Sequence, residues 1–276
     1  MKDPASVAGV SDARERARAA HRLIDDYQAA ISELSRIRRD ALEQLLADGM
    51  TQAQIAELLE MSRSRVSQLL SAGTRPERAF LGSGRLTVAI GGKQEVGRHD
   101  PGDVLSVESV AAYNALAELA RTVGLDASYE VVPPPGLVHL NRPNLIVLTS
   151  PRLLPFVGQV MEADPHIRFK SDDRGWYLTD GDTEYRSPRD EGQAADYAYI
   201  GRLPRPDGKG SFLYLAGAHA QGTLGAAQFI VDNLASLYKE LKVRRFSMII
   251  RCEYDPANPR NILRCERVTP IYRHEG

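Results

Sequence analysis

The sequence predicts an α/β protein in which helices come first and a mostly parallel sheet with an antiparallel meander follows. Three observations predict it. Residues 11–48 run without Pro or Gly in a helical period. Residues 52–70, QAQIAELLEMSRSRVSQLL, read as two short helices meeting at a tight corner. From Arg85 on, short apolar runs (LTVAI, NLIVL, FLYLA) alternate with amphipathic stretches, as buried parallel strands and their crossover helices do.

The composition fits that class. In 276 residues, 43% are hydrophobic and 26% charged, the balance of a globular chain with room for more than one core. The formal net charge is -1, so no global field draws the chain to nucleic acid, and any such binding must rest on a local, salt-sensitive patch. The two cysteines, Cys252 and Cys265, form no metal pattern and read as thiols of a reducing compartment. No apolar run approaches a membrane span, and the N-terminus has no apolar core of a signal peptide. A cytoplasmic protein with no cofactor and no membrane partner is expected.

Met1 to Val10 read as a loose tail. In the long helix that follows, Ala20, Ile24, Tyr27, Ile31 and Leu34 alternate spacings of four and three, a heptad seam widened by Leu23, Ala30 and Ile37. One helix cannot hide such a stripe by itself, so a homodimer through it is expected. Ala41 to Leu46 should pack under Ile55 and Leu59, and Gly49 ends the helix. In the paired short helices, Ile55, Ala56 and Leu59 face inward on the first, and Val66, Leu69 and Leu70 on the second. Ser62 is a natural N-cap for the second.

The outward face of that second helix carries Arg63, Ser64, Arg65, Ser67 and Gln68, side chains that bind phosphates and base edges. The pattern QAQIAELL-x-MS-xxx-VSQLL resembles the helix-turn-helix of the sigma-factor region that reads promoters, and of resolvases and small repressors. The corner position, usually Gly in those families, is Glu60 here, and Glu is poorly suited to a left-handed corner. The resemblance implies double-stranded DNA as partner, contacted by Gln52, Ser62, Arg63, Ser64, Arg65, Ser67 and Gln68. Arg75 and Arg78, in the stretch that follows, read either as further phosphate contacts beside that helix or as solvated linker charges. Taken whole, the chain is similar to actinobacterial proteins in which such a motif precedes an α/β domain of unassigned role.

Ser71 to Gly84, rich in Gly, Pro and Ser, breaks both periodicities. The expected organisation is therefore residues 1–72 for DNA binding, 73–84 as linker and 85–276 as the α/β domain. In the last of these, Leu86 to Ile90, Ser128 to Val132 and Asn144 to Leu148 read as strands. Val107 to Val123 and Leu153 to Met161 read as helices. His166 to Ser187 reads as the meander. Tyr197 to Arg202, Phe212 to Ala216 and Phe246 to Cys252 read as strands, Leu224 to Leu241 as a long helix, and Val268 to Tyr272 as a last edge strand. The alternation is Rossmann-like.

In open α/β sheets ligands lie beyond the carboxyl ends of the strands. Three such ends stand out: Gly91, Gly92 and Lys93; Ser150 and Arg152; and the loop Gly217 to Gly225, with His219, Gln221, Gly222 and Thr223. Glycines admit close backbone approach, and a helix start favours an anion. A nucleotide-like or phosphorylated small molecule is the expected ligand. Neither a Walker loop nor the dinucleotide fingerprint is present, and no catalytic or metal set assembles. Trp176, the only tryptophan, is placed over a cleft or in the core. The chain thus reads as a DNA-binding transcriptional regulator with a ligand-sensing domain. The alternative is a nucleotide- or nucleoside-processing enzyme, N-glycosidase or deoxyribosyltransferase-like, with an accessory helix-turn-helix.

Overall fold

The computed structural model describes residues 4–71, 76–97, 99–100 and 102–274. The chain divides into two compact units, Met1–Gly73 and Thr74–Gly276.

The first unit is helical. A short helix α1, Pro4–Ala8, stands where a loose tail was expected. Helix α2 is a single rod, Ala13–Ala47, started by the Asp12 side chain, which accepts from the Glu15 N–H at 2.8 Å. Gly49, at φ 95°, ends it in the left-handed region that glycine adopts freely. Helices α3, Gln52–Leu58, and α4, Arg63–Ser71, follow. Their small core is Leu42 from α2, Ile55 and Ala56 from α3, and Val66 and Leu69 from α4, all buried. Leu59, expected inside, is 38% exposed. Of the heptad seam, Leu23 is buried, whereas Ile24, Ile31, Leu34 and Ile37 lie 49–63% exposed.

The second unit is built on an eight-stranded mixed sheet. Four strands form its parallel half: β1 (Leu86–Gly91), β4 (Ala127–Val132), β5 (Leu145–Leu148) and β10 (Ser211–Gly217). Its antiparallel half holds β9 (Ala195–Pro204), β11 (Phe246–Asp255), β12 (Asn258–Arg267) and β13 (Tyr272–Arg273). The spatial order is β12-β11-β9-β10-β5-β1-β4, with β13 also on β11. The expectation of a mostly parallel sheet thus holds for one half. The reason is β10, which pairs parallel with β5 on one side and antiparallel with β9 on the other.

Both faces of the sheet are covered, which is why its strands read as unbroken apolar runs. On one face Leu86, Val88 and Ile90 pack with Leu116 and Ala120 of α6 (Val107–Thr122) and with Ala227 and Ile230 of α8 (Ala220–Leu241). On the other, Ala89, Val147 and Tyr214 pack with Val157 of α7 (Pro155–Val160) and with Leu178 of a separate three-stranded sheet. That sheet, β6 (Ile167–Asp172), β7 (Gly175–Asp180) and β8 (Thr183–Tyr185), is the expected meander. A two-residue hairpin, β2 (Lys93–Gln94) with β3 (Asp103–Val104), was not expected.

Two further differences have local causes. The stretch read as linker carries α5, Arg78–Leu81, whose Phe80 is fully buried in the α/β core 5.8 Å from the Phe246 ring. Helix α8 begins at Ala220, four residues before Leu224, because a buried carboxylate from β9 caps its first turn.

Candidate nucleic-acid interface and ligand cleft

The corner between α3 and α4 is held by backbone hydrogen bonds and caps at each end. Thr51 and Gln54 form a capping box at the start of α3: Gln54 N–H donates to Thr51 Oγ1, and Thr51 N–H donates to Gln54 Oε1 at 2.8 Å. At its end Glu60 N–H donates to Glu57 O at 3.2 Å and Met61 N–H to Ala56 O at 2.9 Å. This is the double closure of a helix that ends through a left-handed residue. Glu60 takes that conformation, φ 50°, in spite of its side chain. The tight corner is therefore kept without glycine.

Ser62 caps α4 by accepting from Arg65 N–H at 3.1 Å. With Val66 and Leu69 turned inward, Arg63, Ser64, Arg65, Ser67 and Gln68 are left exposed on α4. Arg65 Nη1 lies 3.4 Å from Gln68 Oε1. Gln52 is half-buried in the first turn of α3. Arg75 lies outside the described residues. Arg78 is buried and donates to Ser83 O at 3.2 Å, so it is not a surface phosphate ligand; its place in the α/β core accounts for that.

In the second unit a cleft of about 180 Å³ opens at the carboxyl ends of β1, β5 and β10. Gly91, Lys93, Ser150, Arg152, Gly217, His219 and Thr223 all line it. Thr149 and Ser150, buried at the end of β5, line it, as do Lys93 and Arg152, which are exposed. Thr149 has φ 147°, a strained conformation for a β-branched residue. The opposite wall comes from Ser106 and Ser109 at the start of α6, where Ser109 N–H donates to Ser106 Oγ at 3.1 Å. The spacing Ser-x-x-Ser before an amphipathic run was the available signal for that wall.

Three expected ligand residues are used differently. Gly92 N–H donates to Val132 O at 2.9 Å and serves the edge of the sheet. Gln221 points elsewhere, its Nε2 3.2 Å from Glu108 Oε1. Gly222 N–H donates to Asp196 Oδ2 at 2.8 Å, and His219 N–H donates to the same oxygen at 2.9 Å. Asp196, fully buried on β9, thus fills the anion position at the head of α8 with a carboxylate of the chain itself. Burial pushes Asp196 above the ordinary carboxylate range, and its backbone donors pull the other way. The glycines follow from this close packing: a Cβ on Gly222 would stand 2.5 Å from Asp196 Oδ2 and 2.7 Å from Tyr197 O.

The remaining polar groups of the loop are arranged around the cleft. Thr223 Oγ1 accepts from Gly217 N–H at 2.9 Å. His219 is anchored through Nε2, 2.8 Å from Asp190 Oδ1. Thr149, Ser150, Ser106 and Ser109, with the cations Lys93 and Arg152, complete the polar lining. Among the described residues no group of His, Cys, Asp and Glu could hold a metal ion. No helix among them is long and apolar enough to cross a membrane.

Residues 24–74 match the family model described as Sigma-70, region 4. The match takes in about two thirds of α2 and the whole of α3 and α4, and it supports DNA binding and transcription regulation for that segment. No curated protein matches the chain, and no solved structure does.

Proposed function

We propose that the chain is a DNA-binding transcriptional regulator whose α/β unit senses a nucleotide-like or phosphorylated small molecule. The observation that carries the first half is the coincidence of the matched segment with an exposed polar face on α4, presented above a core that is otherwise complete. Arg63 and Arg65 contact phosphates or base edges, and Ser64, Ser67 and Gln68 lie beside them. Ser62 holds the helix start. Because the whole chain carries a net charge of only -1, affinity rests on these few cations and falls steeply with salt.

The second half rests on the cleft at the strand ends. Its place in the sheet is where Rossmann-like folds bind ligands. Buried hydroxyls, two exposed cations and a strained Thr149 are the features of a site that receives an oxyanion. A regulatory link requires that ligand bind the DNA-bound and DNA-free chains with different affinity; equal affinities shift nothing.

The seam Ile24, Ile31, Leu34, exposed in a single chain, supports a homodimer reading two half-sites. Ile31→Asp would then convert a dimer seen by light scattering at micromolar concentration into a monomer, and a monomeric wild type would end that part of the reading.

The DNA assignment is tested by selecting bound duplexes from a random pool and titrating them at low salt. Arg63→Ala with Arg65→Ala should weaken binding at least tenfold with thermal stability within about 0.5 kcal/mol of wild type, as surface changes give. Equal affinity in the double variant removes α4 as the reading helix.

A further inference from the structure

Arg152 lines the cleft at the strand ends. The same arginine lines a second, larger cavity of about 610 Å³ between α7 and the three-stranded sheet. The walls of this cavity have a different chemistry. Phe169 on β6 and Trp176 on β7 contribute aromatic surface, and both are half-buried. The strand register explains why they share a wall: Trp176 is opposite Ser171, and Phe169 is opposite Leu178, so the period of two places Phe169, Ser171, Trp176 and Leu178 on one face. Arg168, Lys170 and Glu162 also border the cavity, with Arg168 and Lys170 on the face of β6 opposite Phe169. Arg168 is fixed by donating to Ile167 O at 3.1 Å, whereas Lys170 is exposed.

We propose that the two cavities form one site for a nucleotide, with the phosphate against Thr149, Ser150 and Arg152 and the base against Trp176. This rests on the reading of the first cleft as an anion site, and goes further by naming the class of molecule. Size divides the labour. A cleft of about 180 Å³ is too small for a whole nucleotide, while about 610 Å³ falls in the range of roughly 300–1,000 Å³ that holds a drug-sized molecule. Chemistry divides it in the same way. Hydroxyls and a guanidinium suit a phosphate, and Arg152 can offer its planar fork at the junction. An indole face suits any base, because every base has a π-face.

Trp176 is the only tryptophan in the chain, so the proposal carries its own reporter. The full-length protein is titrated with AMP, GMP, UMP and ADP. Ribose 5-phosphate, inorganic phosphate and adenosine serve as comparators. Binding is read by calorimetry and by tryptophan emission. At least one nucleotide should quench Trp176 saturably and bind at least tenfold tighter than ribose 5-phosphate. Trp176→Ala should abolish that advantage while leaving ribose 5-phosphate binding within twofold of wild type, which also shows that the variant is folded. Arg152→Ala should weaken both. If ribose 5-phosphate binds as well as every nucleotide and the emission is unchanged, the base chamber is refuted and the anion site stands. If none of these molecules binds, both readings fall.

Discussion

Gly91 and Thr149 meet at the ends of neighbouring parallel strands, so closely that a Cβ on Gly91 would stand 2.5 Å from Thr149 Cγ2. Thr149 is held there at φ 147°, with its N–H donating to Leu215 O at 3.1 Å. A glycine on β1 therefore makes room for a strained β-branched residue just after β5, one that lines the cleft. Gly91→Ala should destabilise the second unit by about 1–3 kcal/mol, the cost of forcing a methyl into a packed site. Thr149→Ser removes the opposing methyl and keeps the hydroxyl. In the Gly91→Ala background it should recover at least half of the loss. Thermal unfolding of the four proteins of this double-mutant cycle checks it, and additive effects would mean that the two residues do not share their strain.

The corner at Glu60 allows a gain rather than a loss. A side-chain residue in the left-handed region costs roughly 1–2 kcal/mol, and glycine gives back part of this through its freer unfolded chain. Glu60→Gly should therefore stabilise the first unit by about 0.5–1 kcal/mol. Hydrogen exchange at Met61 N–H, which closes the turn onto Ala56 O, should slow correspondingly. Faster exchange would show that Glu60 supports the corner in some way beyond its backbone.

Tyr272 donates from its phenol to Asp180 Oδ2 at 2.6 Å and so ties the last strand to the end of β7. That hydrogen bond, and secondarily burial, pushes the phenol up to about 12. In the unfolded chain it titrates near 10. Between those values the folded state holds the proton more tightly, so stability falls as pH rises. The contribution is complete below about pH 10 and gone above about pH 12. The stability difference between wild type and Tyr272→Phe, about 1 kcal/mol for one hydrogen bond, should be flat to pH 10 and shrink beyond it. Urea unfolding at pH 8, 10 and 11 measures this, and a difference that stays flat would place the proton elsewhere.

How much of this was legible in the sequence depends on whether a contact is local. LTVAI, NLIVL and FLYLA announced their strands because both sheet faces are covered. Thr51, Gln54, Ser62 and Gly49 act within a few residues of themselves, and the helix ends they govern could be read directly. Strand β12 could not. As an edge strand it leaves Arg260, Asn261, Leu263, Arg264 and Arg267 exposed and sets only Ile262 and Cys265, half-buried, against the core, too few to show a period; its pairing with β11 makes it a strand. Phe80 looked like part of a linker because its partner, Phe246, is far along the chain. A cleft does lie at the strand ends, where Gly91, Ser150 and Gly217 line it. Which N–H groups remain open to a ligand was hidden, because their acceptor, Asp196, comes from another strand.

That acceptor gives the last prediction. Asp196 Oδ2 takes hydrogen bonds from His219 and Gly222, the two N–H groups that the glycine-rich loop might have offered to a ligand. If the carboxylate is a structural cap, removing it should cost stability, since each buried donor left without an acceptor costs about 1–3 kcal/mol. Asp196→Ala should then lose about 3 kcal/mol, with faster hydrogen exchange at both amides. Asp196→Asn keeps an acceptor oxygen and should lose less than half of that. Gly222→Val should destabilise as well, through contact with Asp196 and Tyr197 rather than by blocking a ligand. The contrast with Ser150→Ala is the decisive comparison. Ser150 faces the cleft, so its loss should weaken anion binding with little change in melting temperature. If instead Asp196→Ala melts like wild type and binds anions more tightly, then Asp196 is a removable occupant of the site, and the head of α8 belongs to the ligand after all.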